Sequence, residues 1–146
     1  MTYSKQYGLQ PADRIKTSIF LTGLSKHHSI YLGMDQTGTE WIAENHYTSG
    51  VRLVNAADFF GRNKDVSVFS FAGTNYQRQV AVKRALSKLG QPYDLISFNC
   101  EHYAEYVQRG APYSEQVAVV RGLIAMALII MFVVGLYTYL APKNNS

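Results

Sequence analysis

Strand-forming segments in the first half of the chain and helix-forming segments in the second predict an α+β fold with the strands gathered in an antiparallel sheet. A third observation sets the far end apart. Gly122 to Ala141 is a run of twenty residues without a charge. As a helix it would extend about 30 Å, the hydrocarbon thickness of a bilayer. What precedes it suffices for one domain. The expected organisation is a globular domain over 1–112, then a linker and membrane anchor over 113–146.

The elements follow in order. Pro11-Ala12-Asp13 reads as a turn into a short strand, Arg14 to Thr17. Gly23-Leu24-Ser25-Lys26 reads as a loop. His27 to Gly33 is rich in strand formers and ends at a glycine. After the turn Asp35 to Gly38, Glu40 to His46 forms the next strand, and Val51 to Val54 follows the turn at Thr48-Ser49-Gly50. Asn55 is placed to cap a short helix over residues 56–60. Val66 to Phe71 alternates and predicts a strand. Thr74 or Asn75 caps a helix whose apolar stripe is Val82, Ala85, Leu86 and Leu89, closed by Gly90. The last helix before the linker starts at Asn99 and ends at Gly110.

The uncharged run carries Tyr137 and Tyr139 near one end, where aromatic residues favour the interface. Arg121 and Lys143 bound it. A core helix of so small a protein would carry a polar face, so a single-pass anchor is expected. The polar start Met1 to Gly8 does not read as a signal peptide, which predicts a globular part facing the cytoplasm. That compartment is reducing and suits a free thiol. Net charge is +4 and the pI about 9.2. The basic residues are scattered, with no nucleic-acid motif; their balance suits anionic lipid and equally suits simple solubility.

Cys100 is the single cysteine. With Asn99 as N-cap it opens a helix, where a thiol is most easily ionised and where first-turn amides can hold an oxyanion. Cys100, Tyr103, Ala104 and Val107 share the inward face. His102 points away from Cys100 and is expected to be exposed or locally hydrogen-bonded, and Glu101 complements the helix dipole. A base must come from His27, His28 or His46. His28 shares a row with Ile30 and Leu32 and reads as packed, whereas His27 stands at the strand start on the more polar row. Glu44 and His46 share a face of the next strand, and either can orient an imidazole. Zinc is disfavoured because paired C-x-x-C spacing is absent, and no cofactor is expected.

Asn99-Cys100-Glu101-His102-Tyr103 resembles the Asn-Cys-Glu-His-Phe motif of the lecithin retinol acyltransferase family, which includes the HRAS-like suppressor phospholipases. His27 to Gly33 resembles that family's His-Trp-Ala-Ile-Tyr-Val-Gly strand, and Pro11-Ala12-Asp13 its Pro-Gly-Asp turn. The resemblance implies a circularly permuted papain-like fold of the NlpC type, in which histidine precedes cysteine. It implies Cys100 as nucleophile and His27 as base. The family's second histidine falls at Thr39 here, so the third residue is expected at His46, with Glu44 as the alternative and Asn45, on the opposite face, last. The segment Trp41 to His46 with Gly50 to Leu53 looks closer to bacterial or divergent members.

The resulting expectation is a membrane-anchored thiol acyltransferase or phospholipase A acting on glycerophospholipids through a thioester. The alternatives are a cysteine amidase or peptidase of the NlpC type, and a membrane-tethered interaction or remodelling protein without enzymatic activity.

Overall fold

The computed structural model describes residues 1–18, 26–63 and 65–140 of the chain. The chain divides into two compact units, Met1–Ser114 and Glu115–Ser146. The first contains a short helix α1 (Tyr3–Tyr7), strands β1 (Arg14–Ser18), β2 (Lys26–Met34), β3 (Glu40–His46) and β4 (Gly50–Asn55), helix α2 (Ala56–Arg62), strand β5 (Val66–Phe69), and helices α3 (Asn75–Leu86) and α4 (Cys100–Arg109). Among the described residues the strands form one sheet in the order β4-β3-β2-β1-β5, every neighbour antiparallel. The α+β expectation is met.

The sheet has a helix layer on each face, and the alternation of side chains decides which residue meets which layer. Ile30 and Ala43 join Val51, Tyr103, Ala104 and Val107 in one core beneath α3 and α4. Tyr31 and Ile42 join Ile15, Phe59 and Phe60 in the other. Each core fills the space between the sheet and the apolar stripe of a helix, which is what fixes α4 against β2 and β3.

Helix ends follow local chemistry. Asn55 caps α2 by accepting from the Asp58 amide, and Thr74 and Gln77 form a capping box on α3. Gly110 ends α4 at φ 83°, a left-handed value glycine adopts without a side-chain clash. Gly50 begins β4 at φ 67°, and a Cβ there would run into the Gln91 carbonyl. The close approach is used: the Val51 amide donates to the Gln91 carbonyl at 2.9 Å and the Gly90 amide to the Val51 carbonyl at 2.8 Å.

Several sequence expectations are corrected. Residues 3–7, read only as polar, are helical, because Glu40 on β3 accepts from the Tyr3 and Ser4 amides at 2.7 and 2.8 Å and Tyr3 and Tyr7 stack on Phe60. Helix α3 ends at Leu86, short of Leu89, and buries Ala81 and Ala85 while Leu86 and Leu89 are exposed. Small side chains let α3 approach α4 closely enough for the Tyr103 hydroxyl to donate to the Ala85 carbonyl at 3.2 Å. The expected loop residues Gly23, Leu24 and Ser25 lie outside the described residues; Lys26 opens β2.

The second unit contains helix α5 (Glu115–Leu140), so the expected linker residues Glu115 and Gln116 are helical. Its segment Val117–Leu140 has a mean hydropathy of 2.7 and is long and apolar enough to cross a membrane. Ala141 and Lys143 lie outside the described residues.

Candidate active site

Asn99 builds the start of α4. Its Oδ1 accepts from the Glu101 and His102 amides, each at 3.0 Å, and its own amide donates to His102 Nδ1 at 3.3 Å. His102 is therefore part of a capping box and is buried. Glu101, also buried, accepts from the Ser114 hydroxyl at 2.6 Å. These bonds correct one expectation. Two first-turn amides expected to face an oxyanion are already engaged by the cap, which leaves the Cys100 amide as the first-turn donor that the cap does not use.

The Cys100 thiol is buried and meets the end of the sheet where the central strand β2 begins. Its Sγ lies 3.9 Å from the Lys26 carbonyl and shares a hydrogen bond with the His27 side chain. His27 uses its other side on Glu44: Nε2 is 2.9 Å from Glu44 Oε2. With Nε2 engaged there, Nδ1 is the ring nitrogen available to the thiol.

The sheet register explains the Glu44 contact. Ser29 pairs with Glu44, so Glu44 sits diagonally across from His27, within reach of a long side chain. On the other side Glu44 pairs with Arg52 of β4. Arg52 donates to Glu44 Oε1 from Nε at 2.9 Å and Nη2 at 2.7 Å, and Arg62, the last residue of α2, adds Nη2 at 2.7 Å. One carboxylate oxygen is thus held by two arginines and the other is turned to the imidazole.

The electrostatics follow from these contacts. Burial disfavours a charged Glu44, but His27, Arg52 and Arg62 outweigh it and hold the carboxyl down at about 2. Burial likewise opposes a charged His27, yet its hydrogen bonds to Cys100 and Glu44 raise it to about 9. His28 shows the opposite outcome. Burial, then Lys16 and Arg14, lower it to about 3, and it is a neutral packed residue.

His46, expected third in the site, makes its contacts away from His27. Its Nδ1 is 2.9 Å from the Thr48 hydroxyl and its ring lies tilted at 34° against that of Tyr47, 4.6 Å between centroids. It lines the same cavity without a hydrogen bond to His27, because the arginine-held carboxylate occupies the imidazole's free edge. Asn45 is fully buried and donates to the Phe98 carbonyl at 2.7 Å, bracing the segment before Cys100.

Cys100, His27 and Glu44 line one cavity of about 270 Å³ with Tyr93, Arg62 and His46 among its walls. Tyr93 and the two arginines were not candidates from the sequence. Burial and then the neighbouring Cys100 raise the Tyr93 hydroxyl above its ordinary value, so it remains a proton donor beside the thiol. Among the described residues no group of three or more His, Cys, Asp or Glu is placed to hold a metal ion.

The histidine strand precedes the cysteine helix in the chain, the reverse of the papain order. A family model described as permuted papain-like amidase enzymes, YaeF/YiiX, C92 family, matches residues 5–107. The chain belongs to this family. The match meets the expectation of a permuted papain-like fold and spans both β2 and most of α4, the two elements that carry His27 and Cys100. It does not extend to the narrower lecithin retinol acyltransferase resemblance, and it favours amide over lipid-ester chemistry. No curated protein matches the chain.

Proposed function

We propose that the protein is a cysteine amidase in which Cys100 is the nucleophile, His27 the acid and base, and Glu44 the residue that orients His27. The observation that carries this reading is the Cys100–His27–Glu44 relay at the wall of one cavity, with Glu44 fixed by Arg52 and Arg62. His27 accepts the Cys100 proton as sulfur attacks the amide carbon. The negative charge that develops on the carbonyl oxygen is met by the Cys100 amide, with the Tyr93 hydroxyl as the side-chain donor beside it. Collapse breaks the C–N bond, and His27 returns the proton to the departing amine. Water, deprotonated by His27, then adds to the thioester carbon, and the thiol leaves as the acid forms. Glu44 holds the imidazole tautomer and stabilises the imidazolium.

A second reading, transfer of a fatty-acyl chain from a glycerophospholipid, is favoured by the membrane-length segment Val117–Leu140. That segment is proposed as a single-pass anchor with the globular unit on the cytoplasmic side, which would hold the site near lipid. The chemistry at sulfur is the same, with an ester oxygen leaving instead of an amine.

Full-length protein in detergent, incubated with N-acyl amino acids, dipeptides and phospholipids, separates the readings by mass spectrometry of the products. Amide cleavage with an acyl adduct on Cys100 is expected. Release of fatty acid and lysophospholipid alone would favour the second reading. Product formation by Cys100→Ala protein at the wild-type rate would overturn both.

A further inference from the structure

We propose that Arg62 is an anion-binding wall of the Cys100 cavity, so that the natural substrate carries a carboxylate or phosphate group close to the bond that is cleaved. The inference deepens the amidase reading and rests on Cys100 being the nucleophile of that cavity.

Arg62 and Arg52 reach the same oxygen of Glu44 but stand differently. Arg52 gives it two hydrogen bonds and is not part of the cavity wall. Arg62 gives it one, lines the cavity, and has a side chain 44% exposed. Among the described residues that bond is the only one Arg62 makes, so most of its guanidinium donors remain available. The Phe59 ring lies 5.8 Å below its Cζ and keeps the fork in place. Arg52 already anchors Glu44; holding that carboxylate does not account for a second arginine turned into the cavity.

The charge balance agrees. Glu44 is the only carboxylate in the described cavity wall, and its oxygens are engaged by His27, Arg52 and Arg62. The Cys100–His27 pair shares one proton and is neutral as a whole, and Arg52 and Arg62 stand against Glu44 alone, leaving the site one positive charge in excess. Thr17, Ser18 and Asn63 complete that side of the wall with neutral hydrogen-bonding groups. A guanidinium fork pairs in a bidentate manner with either a carboxylate or a phosphate.

Because Cys100 is the single cysteine, its alkylation tests this without a substrate. The full-length protein is treated at constant ionic strength with iodoacetate, which carries a carboxylate, and with neutral iodoacetamide, and the rate ratio is measured by mass spectrometry. Arg62→Gln is expected to lower the iodoacetate-to-iodoacetamide ratio about tenfold. Arg62→Lys should keep most of it, and Arg52→Gln should leave it within about twofold. An unchanged ratio in Arg62→Gln, or an equal loss in Arg52→Gln, overturns the proposal. Competition separates the anion classes: protection against iodoacetate by succinate assigns a carboxylate, by inorganic phosphate a phosphate, and by neither contradicts the site. The ratio is independent of turnover. A protein that hydrolyses no amide can still show it, and an active amidase can lack it, so the two readings fail separately.

Discussion

Glu44 Oε2 lies 2.9 Å from His27 Nε2 while both arginines bind Glu44 Oε1. The carboxylate is thereby fixed in one orientation, with a single oxygen left for the imidazole. His27 in turn presents its remaining nitrogen to Cys100. The order of contacts runs from β4 and α2 through β3 and β2 to the first turn of α4.

Glu44→Gln is expected to reduce turnover by about two orders of magnitude or more, since an amide cannot stabilise the imidazolium. His46→Ala should change turnover by less than about threefold, because His46 bonds Thr48 and not His27. Steady-state kinetics on the pair decides which residue completes the site. Equal losses would contradict the assignment of Glu44. Glu44→Gln should also destabilise the fold by about 2 kcal/mol, less than a fully buried pair because both arginines reach water.

Stability should depend on pH in two windows. His27 is raised from 6.5 to about 9. Its contribution is therefore complete below about pH 6.5 and is lost as pH rises through 9. Glu44 is lowered from 4.5 to about 2. Its contribution is present above 4.5 and is lost as pH falls toward 2. Melting temperatures measured across pH should decline on the alkaline side in the wild type and lose that slope in His27→Gln. A slope that persists in the variant would assign it to other groups.

Asn99→Ala removes the acceptor for two buried amides at the start of α4. A loss of about 1–2 kcal/mol in chemical denaturation is expected. Alkylation of Cys100 should slow as well, because the same cap sets the orientation of the first turn. Denaturation unchanged from wild type would show that the cap is not what holds it.

Gly50→Ala should be more damaging than its size suggests. The left-handed φ costs about 1 kcal/mol for alanine, and the added methyl meets the Gln91 carbonyl. Displacing Gln91 moves the segment that carries Tyr93, so turnover and melting temperature should both fall. Gly38→Ala, at φ 86° with open space around it, should show the backbone cost alone. Similar losses at the two positions would argue against the close contact.

The strands were legible because alternation has a period of two and turn residues bracket it; β3 runs over Glu40–His46, as the sequence indicates. The ends of α4 were legible from Asn99 and Gly110. Helix α1 was not, since its stability comes from Glu40 and Phe60, both distant in sequence. The face of α3 was misread because its contact is set by the small size of Ala81 and Ala85, a packing property that hydrophobicity does not rank. In the site, Cys100 and His27 have recognisable local settings. Glu44 was one of two residues on a suitable face, and what separates it from His46 is the pair Arg52 and Arg62, brought in by β4 pairing and by the end of α2. No spacing in the chain announces that convergence.

The chain holds a single sulfhydryl, and it is Cys100. Every equivalent consumed in a thiol titration of the denatured full-length protein therefore counts one chain, and the fraction of native protein whose thiol a bound substrate shields from alkylation measures how much of a preparation carries an assembled site. Purified samples carry their own internal standard for specific activity, independent of dye, tag or absorbance.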